Sequence, residues 1–575
     1  MKPAVRSGNE LLCSTLEILG VEYVFGVPGS ETVGLYDALR KSRLRSVLTT
    51  HELAATFMAN GYARVAGRVG IVFAIPGPGF TYALAGLAEA RHDSIPLLLI
   101  TGTPAAESSA LLIHQAVDQV AMARPVVKEI VEVKSGEALV SQLAYAHALA
   151  LEGEPGPVLV QISAAALAES LPATEPPSLA ARVAEPEIFA HVAQEFTAAS
   201  RPLILAGQGT ARAARELRAV VERWKVPVLT TPAGRGVLPE SHPFALRFDG
   251  ASGNVAVVNE LLQRADYILA VGCKLSHNGT AGFSLVLPRD RLVHVDTAPA
   301  VLNATYPARR TVQASAKQVL EVLSRRCANQ QTRTSEWPPG ELTMWRDRLR
   351  SDASDQLPEP RFPDLVDGTA LAFFGALRRA LPDDGILVTD SGTHQFLARR
   401  HFEVRVPHGL IFPNDFQAMG YGLPAAIGVK LAALNRRVVL VIGDGGLLVS
   451  GMELVTAVRE RLPLTIIVFN DGQLNHIRLQ QLAQSGQAHS VSLRVPDLAT
   501  LATAMGLRYV RLAGDAERIL AAALMSLEPI LIEVRVADSP AIRLLQAKAA
   551  TRRAATRVLG PRMAAWIKQR LSRPT

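Results

Sequence analysis

Short runs of aliphatic and β-branched residues alternate along this chain with longer Ala- and Leu-rich stretches of helical periodicity. In the first third the runs are Val21 to Val27, Val69 to Ala74, Leu97 to Gly102 and Val158 to Ile162. They are close to continuously apolar, which predicts strands covered by helices on both faces and therefore parallel sheets. The rhythm returns at Leu203 to Ala206, Val226 to Thr230, Tyr267 to Val271 and Leu292 to Val295. It returns again at Ile386 to Thr389, Val438 to Ile442, Leu464 to Phe469 and Ile530 to Val534. The predicted fold class is α/β, with three doubly wound parallel-sheet domains.

The rhythm breaks at Pro172, Ala173, Thr174, Glu175, Pro176 and Pro177, a polar, proline-rich connector. A first domain is read over residues 1–171 and a second over 186–324. Residues 325–364 hold Trp337, Pro338 and Pro339 among charged clusters and read as a linker with one helix. A third domain covers 365–540, and 541–575 forms a tail. A chain of 575 residues suits about three domains.

The formal charge of +8 hints at a nucleic-acid partner until its location is considered. Beyond Pro540 lie Arg543, Lys548, Arg552, Arg553, Arg557, Arg562, Lys568, Arg570 and Arg573, with no acidic residue. These exceed the whole net charge, so the rest is near neutral and no nucleic acid is expected. The tail also carries Leu559, Met563, Trp566 and Ile567, and is read as an amphipathic helix packing on the core. Cys13, Cys273 and Cys327 are too scattered for a zinc site or a disulfide framework. No segment reaches the roughly 18 apolar residues of a membrane span, and Met1 to Glu10 has no apolar run, so a soluble cytoplasmic protein is expected.

The richest stretch is the strand Val438 to Ile442 running into Gly443, Asp444, Gly445 and Gly446. Glycines let an anion approach backbone N–H groups, and a helix expected at Met452 to Arg459 would aim its positive end nearby. A second buried strand, Leu464 to Phe469, ends in Asn470, Asp471, Gly472 and Gln473. In a parallel sheet both strand ends open on one edge, so Asp444 and Asp471 can share a hard cation that carries phosphate oxygens.

Gly443-Asp444-Gly445, a helix, then Asn470-Asp471 resembles the binding motif of the thiamin diphosphate (ThDP) enzymes, and the chain is identified as similar to the acetohydroxyacid synthases. That family usually has Asn where Asp471 stands. The resemblance implies Mg2+ held by Asp444, Asp471 and the carbonyl of Gln473, with Gly443, Gly445 and Gly446 at the diphosphate. Thr389-Asp390-Ser391-Gly392-Thr393-His394-Gln395 resembles the segment that places Gly392, His394 and Gln395 on the diphosphate. Gln417-Ala418-Met419-Gly420 supplies Gln417, and Met419 as the prop for the bent cofactor.

In the first domain, Thr50-His51-Glu52-Leu53-Ala54-Ala55 and Asn60-Gly61-Tyr62-Ala63-Arg64 resemble the pyrimidine-binding motif. Glu52 is implied to hydrogen-bond the aminopyrimidine ring and favour the tautomer that deprotonates the thiazolium carbon. Val24 to Gly29, Gly77 to Phe80 and Asp93 to Pro96 match the same domain in order, placing Pro28 and Gly29 beside the cofactor. His114 and Gln115 occupy the place of a Phe-Gln pair in acetohydroxyacid synthases and are expected to act on the reacting oxygen or proton. Gln480 replaces the Trp that selects a second oxoacid, so the substrate is expected to differ.

The activity implied is a ThDP- and Mg2+-dependent transferase or lyase: a carboligase or decarboxylase that takes a 2-oxoacid donor, with an oxoacid or aldehyde partner. A flavin-linked pyruvate oxidase type and a catalytically silent paralogue are the alternatives. FAD is less expected than not, because the family's Gly-Ala-Arg turn reads Gly272-Cys273-Lys274 here. A homodimer or homotetramer with sites between chains is expected, since the two halves of the site lie on different domains.

Overall fold

The computed structural model describes residues 5–103, 114–172, 175–177, 186–250, 254–329, 334–351, 358–542, 544 and 547. The chain folds into three domains, each a six-stranded parallel sheet flanked by helices, as the hydrophobic rhythm predicts. Counted within each domain, the strand order is 2-1-3-4-6-5 in the first and third sheets and 3-2-1-4-5-6 in the central one. A short antiparallel pair, Val5–Ser7 with Ser170–Pro172, ties the start of the first domain to its end. No helix among the described residues is long and apolar enough to cross a membrane.

Central strands such as Leu97–Gly102 and Leu464–Asn470 are buried almost throughout, as continuous apolar runs require. Edge strands Arg45–Leu48 and Arg508–Arg511 are mostly exposed or half-buried and carry arginines. An edge strand needs one apolar face at most, which is why its sequence gives little signal. The helix Pro339–Ser351, expected to sit in a linker, packs on the central domain. Trp337, Trp345 and Leu349 are buried there, and Trp337 Nε1 donates to the Pro202 carbonyl at 2.7 Å.

The first and third domains meet through two crossing helices, Glu52–Ala66 and Gly422–Ala432. Gly61 lies against the backbone of Ala425, and Gly428 against the backbone of Met58, with no room for a Cβ on either glycine. Residue numbers rise along one helix as they fall along the other, so the two run antiparallel. The start of each helix stands beside the end of its partner.

Candidate active site

Strands Val438–Gly443 and Leu464–Asn470 are hydrogen-bonded neighbours in parallel register, with Gly443 opposite Phe469. Their ends therefore emerge side by side. The expected helix start at Met452 is corrected: the helix opens at Asp444 and runs to Ser450, so Gly445 and Gly446 form its first turn. Glycine is a poor helix former, but a Cβ on Gly446 would strike the Asp390 carboxylate and one on Gly445 would stand 2.8 Å from Leu474. Packing at this turn overrides propensity.

Asp444 is buried and organises both loops. Its Oδ2 accepts the N–H of Gly472 at 2.6 Å and of Asp471 at 3.2 Å, and its Oδ1 accepts Gly445 N–H at 2.7 Å. Asp471 Oδ1 accepts the Gln473 N–H at 3.0 Å. Burial and the neighbouring Asp444 charge push the Asp471 carboxyl up to about 7, and burial raises Asp444 as well. Two facing acids at a strand edge favour a hard cation. Among the described residues no third His, Cys, Asp or Glu joins them, so main-chain, phosphate and water oxygens would complete the shell of such an ion.

Strand Ile386–Thr389 ends beside this turn, followed by Asp390, which is fully buried and accepts the Gly420 N–H at 2.9 Å and Ser391 N–H at 2.6 Å. Sequence reasoning gave Asp390 no role; a lone acid at a strand end carries no signal until Gly420 meets it. His394 is buried, and burial pushes its imidazole down to about 3, so it is neutral near pH 7. Its ring lies against Gly443 and Gly392, whose φ of 144 suits glycine. His394 Nε2 has no hydrogen-bond partner in the protein, nor does Gln395 Oε1, whereas Gln395 Nε2 donates to the Pro413 carbonyl at 2.9 Å. Gln417 takes φ 60 and donates to Asn414 O at 3.1 Å. The half-exposed Met419 has its sulfur 3.9 Å from the Cβ position on Gly445. Glycine turns beside an unpartnered imidazole nitrogen and a carboxylate pair are a donor set that suits a diphosphate carried by a divalent cation.

The other half forms at the carboxyl edge of the first sheet. Glu52 opens the Glu52–Ala66 helix and is 6% exposed. Its Oε1 lies 2.6 Å from the Cβ position on Gly79, and burial raises its pKa. Gly77, next to it, lies against the Gln115 carbonyl and donates to Gln119 Oε1 at 3.2 Å. Gln115 takes φ 60, and His114 is exposed beside it. Gly29 and Gly79 both pack on Ile75, while Pro28 is exposed. The structure therefore gathers Glu52, Gln115, His114 and the Pro28-Gly29 turn at one sheet edge. Because the interface helices are antiparallel, Glu52 lies about 14 Å along the axis from Gly61, away from the end where Gly422 begins.

In the central domain, the Gly207 and Gly272 turns meet at the point where strand order reverses. Gly207 N–H donates to Val271 O at 3.0 Å and Gly209 N–H to Gly272 O at 2.9 Å, so neither amide is turned to the adjoining cavity of about 420 Å³. Lys274 pairs with Glu154 at 2.7 Å across that cavity. Those two amides are therefore closed to a pyrophosphate.

Three such domains, with acidic and glycine turns on the third and a buried glutamate on the first, define a multidomain α/β enzyme class built to share a cofactor between domains. The family descriptions that match are the N-terminal TPP binding domain of thiamine pyrophosphate enzymes over residues 6–122, the central domain over 189–323 and the C-terminal TPP binding domain over 390–534. The chain belongs to the thiamine pyrophosphate (ThDP) enzyme family. It is 33% identical over 520 residues to the acetolactate synthase isozyme 3 large subunit of Escherichia coli, covering 87% of this chain and 88% of that protein. It is 33% identical over 508 residues, with the same coverage, to the probable 2-ketoarginine decarboxylase AruI of Pseudomonas aeruginosa. It is 29% identical over 551 residues to the acetolactate synthase large subunit of Lactococcus lactis, covering 93% of each.

Proposed function

We propose that this enzyme uses ThDP and Mg2+ to decarboxylate a 2-oxoacid donor, and passes the resulting carbanion equivalent to a proton or to a second carbonyl. The observation that carries the reading is the pairing of Asp444 and Asp471 on adjacent strand ends beneath an unpartnered His394. Both relatives at 33% identity support it, since one is named a synthase of acetolactate and the other a decarboxylase of an oxoacid.

When bound, the cofactor supplies a carbon nucleophile and an electron sink for the decarboxylated donor. Asp444, Asp471 and the Gln473 carbonyl would hold the cation, and Gly443, Gly445, Gly446, Gly392, His394 and Gln395 would surround the diphosphate. Gln417 would line the approach, and Met419, packed beside Gly445, would prop the ring system. Glu52, kept protonated more readily by burial, would donate to a ring nitrogen. Gln115 and His114 would meet the substrate, and the Pro28-Gly29 turn would close the same edge.

Gly422 and Gly446 both lie against Asp390, so the cation turn stands at the end of the helix pair opposite the chain's own Glu52; this supports a homodimer, or a homotetramer built from dimers, in which two copies complete each site. Leu448, Val449 and Met452 are 47%, 43% and 57% exposed on the helical run after Asp444, which supports the same arrangement. The test is carbon dioxide release from a panel of 2-oxoacids, with and without aldehyde or oxoacid acceptors. One aldehyde formed per carbon dioxide released identifies a decarboxylase; a coupled product, from two donor molecules or from donor and added acceptor, identifies a carboligase; no release from any donor, with or without acceptor, contradicts the proposal.

A further inference from the structure

Glu453 closes the turn Gly451–Glu453, which continues the helix opened by Asp444, and it is completely buried. Its Oε1 accepts the Thr50 N–H at 2.8 Å and the Thr50 hydroxyl at 2.5 Å, from the other side of the domain interface. Its Oε2 accepts the Thr456 hydroxyl at 2.6 Å. Both carboxyl oxygens are thus engaged. Thr50 stands two residues before Glu52, in the loop that decides where the Glu52–Ala66 helix begins. Arg459, further along the same run, donates to the Leu48 carbonyl at the start of that loop.

The arrangement recurs in mirror image. Glu89, buried on the helix Pro78–His92, has its Oε2 accepting the Ala418 N–H at 3.0 Å, next to Met419. Asp93 accepts the N–H groups of Asn414 at 3.3 Å and Asp415 at 3.4 Å. In both domains the helix after the third strand sends a buried glutamate to the loop that precedes the other domain's interface helix. A buried carboxyl is costly unless its hydrogen bonds are satisfied; Glu453 meets that cost at both oxygens, whereas Glu89 Oε1 has no partner in the protein, so of the two Glu453 is the fully engaged contact.

We infer that Glu453 is a positioning residue for the activating carboxyl: by gripping Thr50 it fixes where Glu52 stands. The helical run from Asp444 to Glu453 then ties the cation turn to the loop that carries Glu52. In a dimer with shared sites, that run joins one site's cation to the other site's glutamate. This inference rests on the cofactor reading above.

The test compares Glu453→Ala, Glu453→Gln and Thr50→Val with the wild-type enzyme. The readouts are thermal unfolding, calorimetric titration with ThDP and Mg2+, and exchange of the thiazolium C2 proton of bound ThDP for deuterium by quenched NMR. Glu453→Ala should keep ThDP affinity within about threefold, because the cation and diphosphate contacts lie elsewhere, but slow C2 exchange at least about tenfold. Glu453→Gln should restore exchange to within about threefold, since its oxygen can still accept from Thr50 and its amide can donate to Thr456. Thr50→Val removes one of the two bonds to Oε1 and should slow exchange even if Glu453→Ala fails to fold.

Wild-type exchange in Glu453→Ala or in Thr50→Val would overturn the positioning role. So would Glu453→Gln being as slow as Glu453→Ala, which would assign the effect to the carboxyl's charge. If the wild-type protein binds no ThDP, the cofactor reading fails, and this inference with it.

Discussion

Glu52 sits in a pocket too poor in water for an easily ionised carboxyl, with Gly79 leaving just enough room for its oxygens. Burial raises its pKa, so its contribution to stability is fully present below the unfolded carboxylate range and is lost as pH rises through the raised value. Glu52→Gln, neutral throughout, should therefore unfold at the same temperature as wild type near pH 4 and at a higher one near pH 8. Turnover should fall at least about a hundredfold, the usual scale of a lost acid–base group. Scanning calorimetry at the two pH values checks the first outcome, and near-normal turnover would remove the activating role. Asp471 behaves in the same sense, since burial and Asp444 push it up to about 7. Asp471→Asn should stabilise the metal-free protein by on the order of 1 kcal/mol at pH 8 and much less at pH 5. An equal gain at both pH values, measured by denaturant unfolding in chelator, would contradict the proposed repulsion.

The crossing of Glu52–Ala66 and Gly422–Ala432 depends on backbone contact at two glycines. Gly428→Ala would drive a methyl into the Met58 carbonyl and should cost about 1–3 kcal/mol, read as a lower denaturant midpoint. Elements of this kind were unevenly legible in the sequence. Strands Leu97–Gly102, Tyr267–Val271 and Ile386–Thr389 have the bounds that their apolar runs predict, because strands covered on both faces must be apolar throughout. Arg310–Gln313 and Leu410–Ile411 passed unread, the first because only one of its four residues is buried and the second because two buried residues are too few to show a pattern. The helix at Asp444 was also hidden, because its two glycines argue locally against a helix and the packing on Asp390 and Leu474 that requires them is tertiary. Glu453 looks in sequence like any glutamate near a helix start; its contact with Thr50 exists only once the two domains dock.

At the scale of the molecule, the first and third domains share one strand order and exchange buried glutamates, yet no sequence repeat betrays this kinship. Parallel-sheet topology is kept by burial pattern, which many sequences satisfy. The antiparallel interface sets Glu52 at the end of the helix pair opposite Gly422 and the Asp390 turn, so under the proposed sharing of sites chains mutated at Glu52 or at Asp444 should complement one another. Mixing Glu52→Gln with Asp444→Ala after reversible dissociation should restore about a quarter of wild-type activity, because half of the dimers then hold one intact site. No recovery, with hybrid dimers shown to form, would contradict sites shared between copies. The most direct test of the central claim is calorimetric titration of metal-stripped protein with ThDP in the presence and absence of Mg2+. Tight binding that requires Mg2+ and is lost in Asp444→Ala is the predicted result. ThDP binding that ignores Mg2+ and survives Asp444→Ala, or no binding at all, would contradict it.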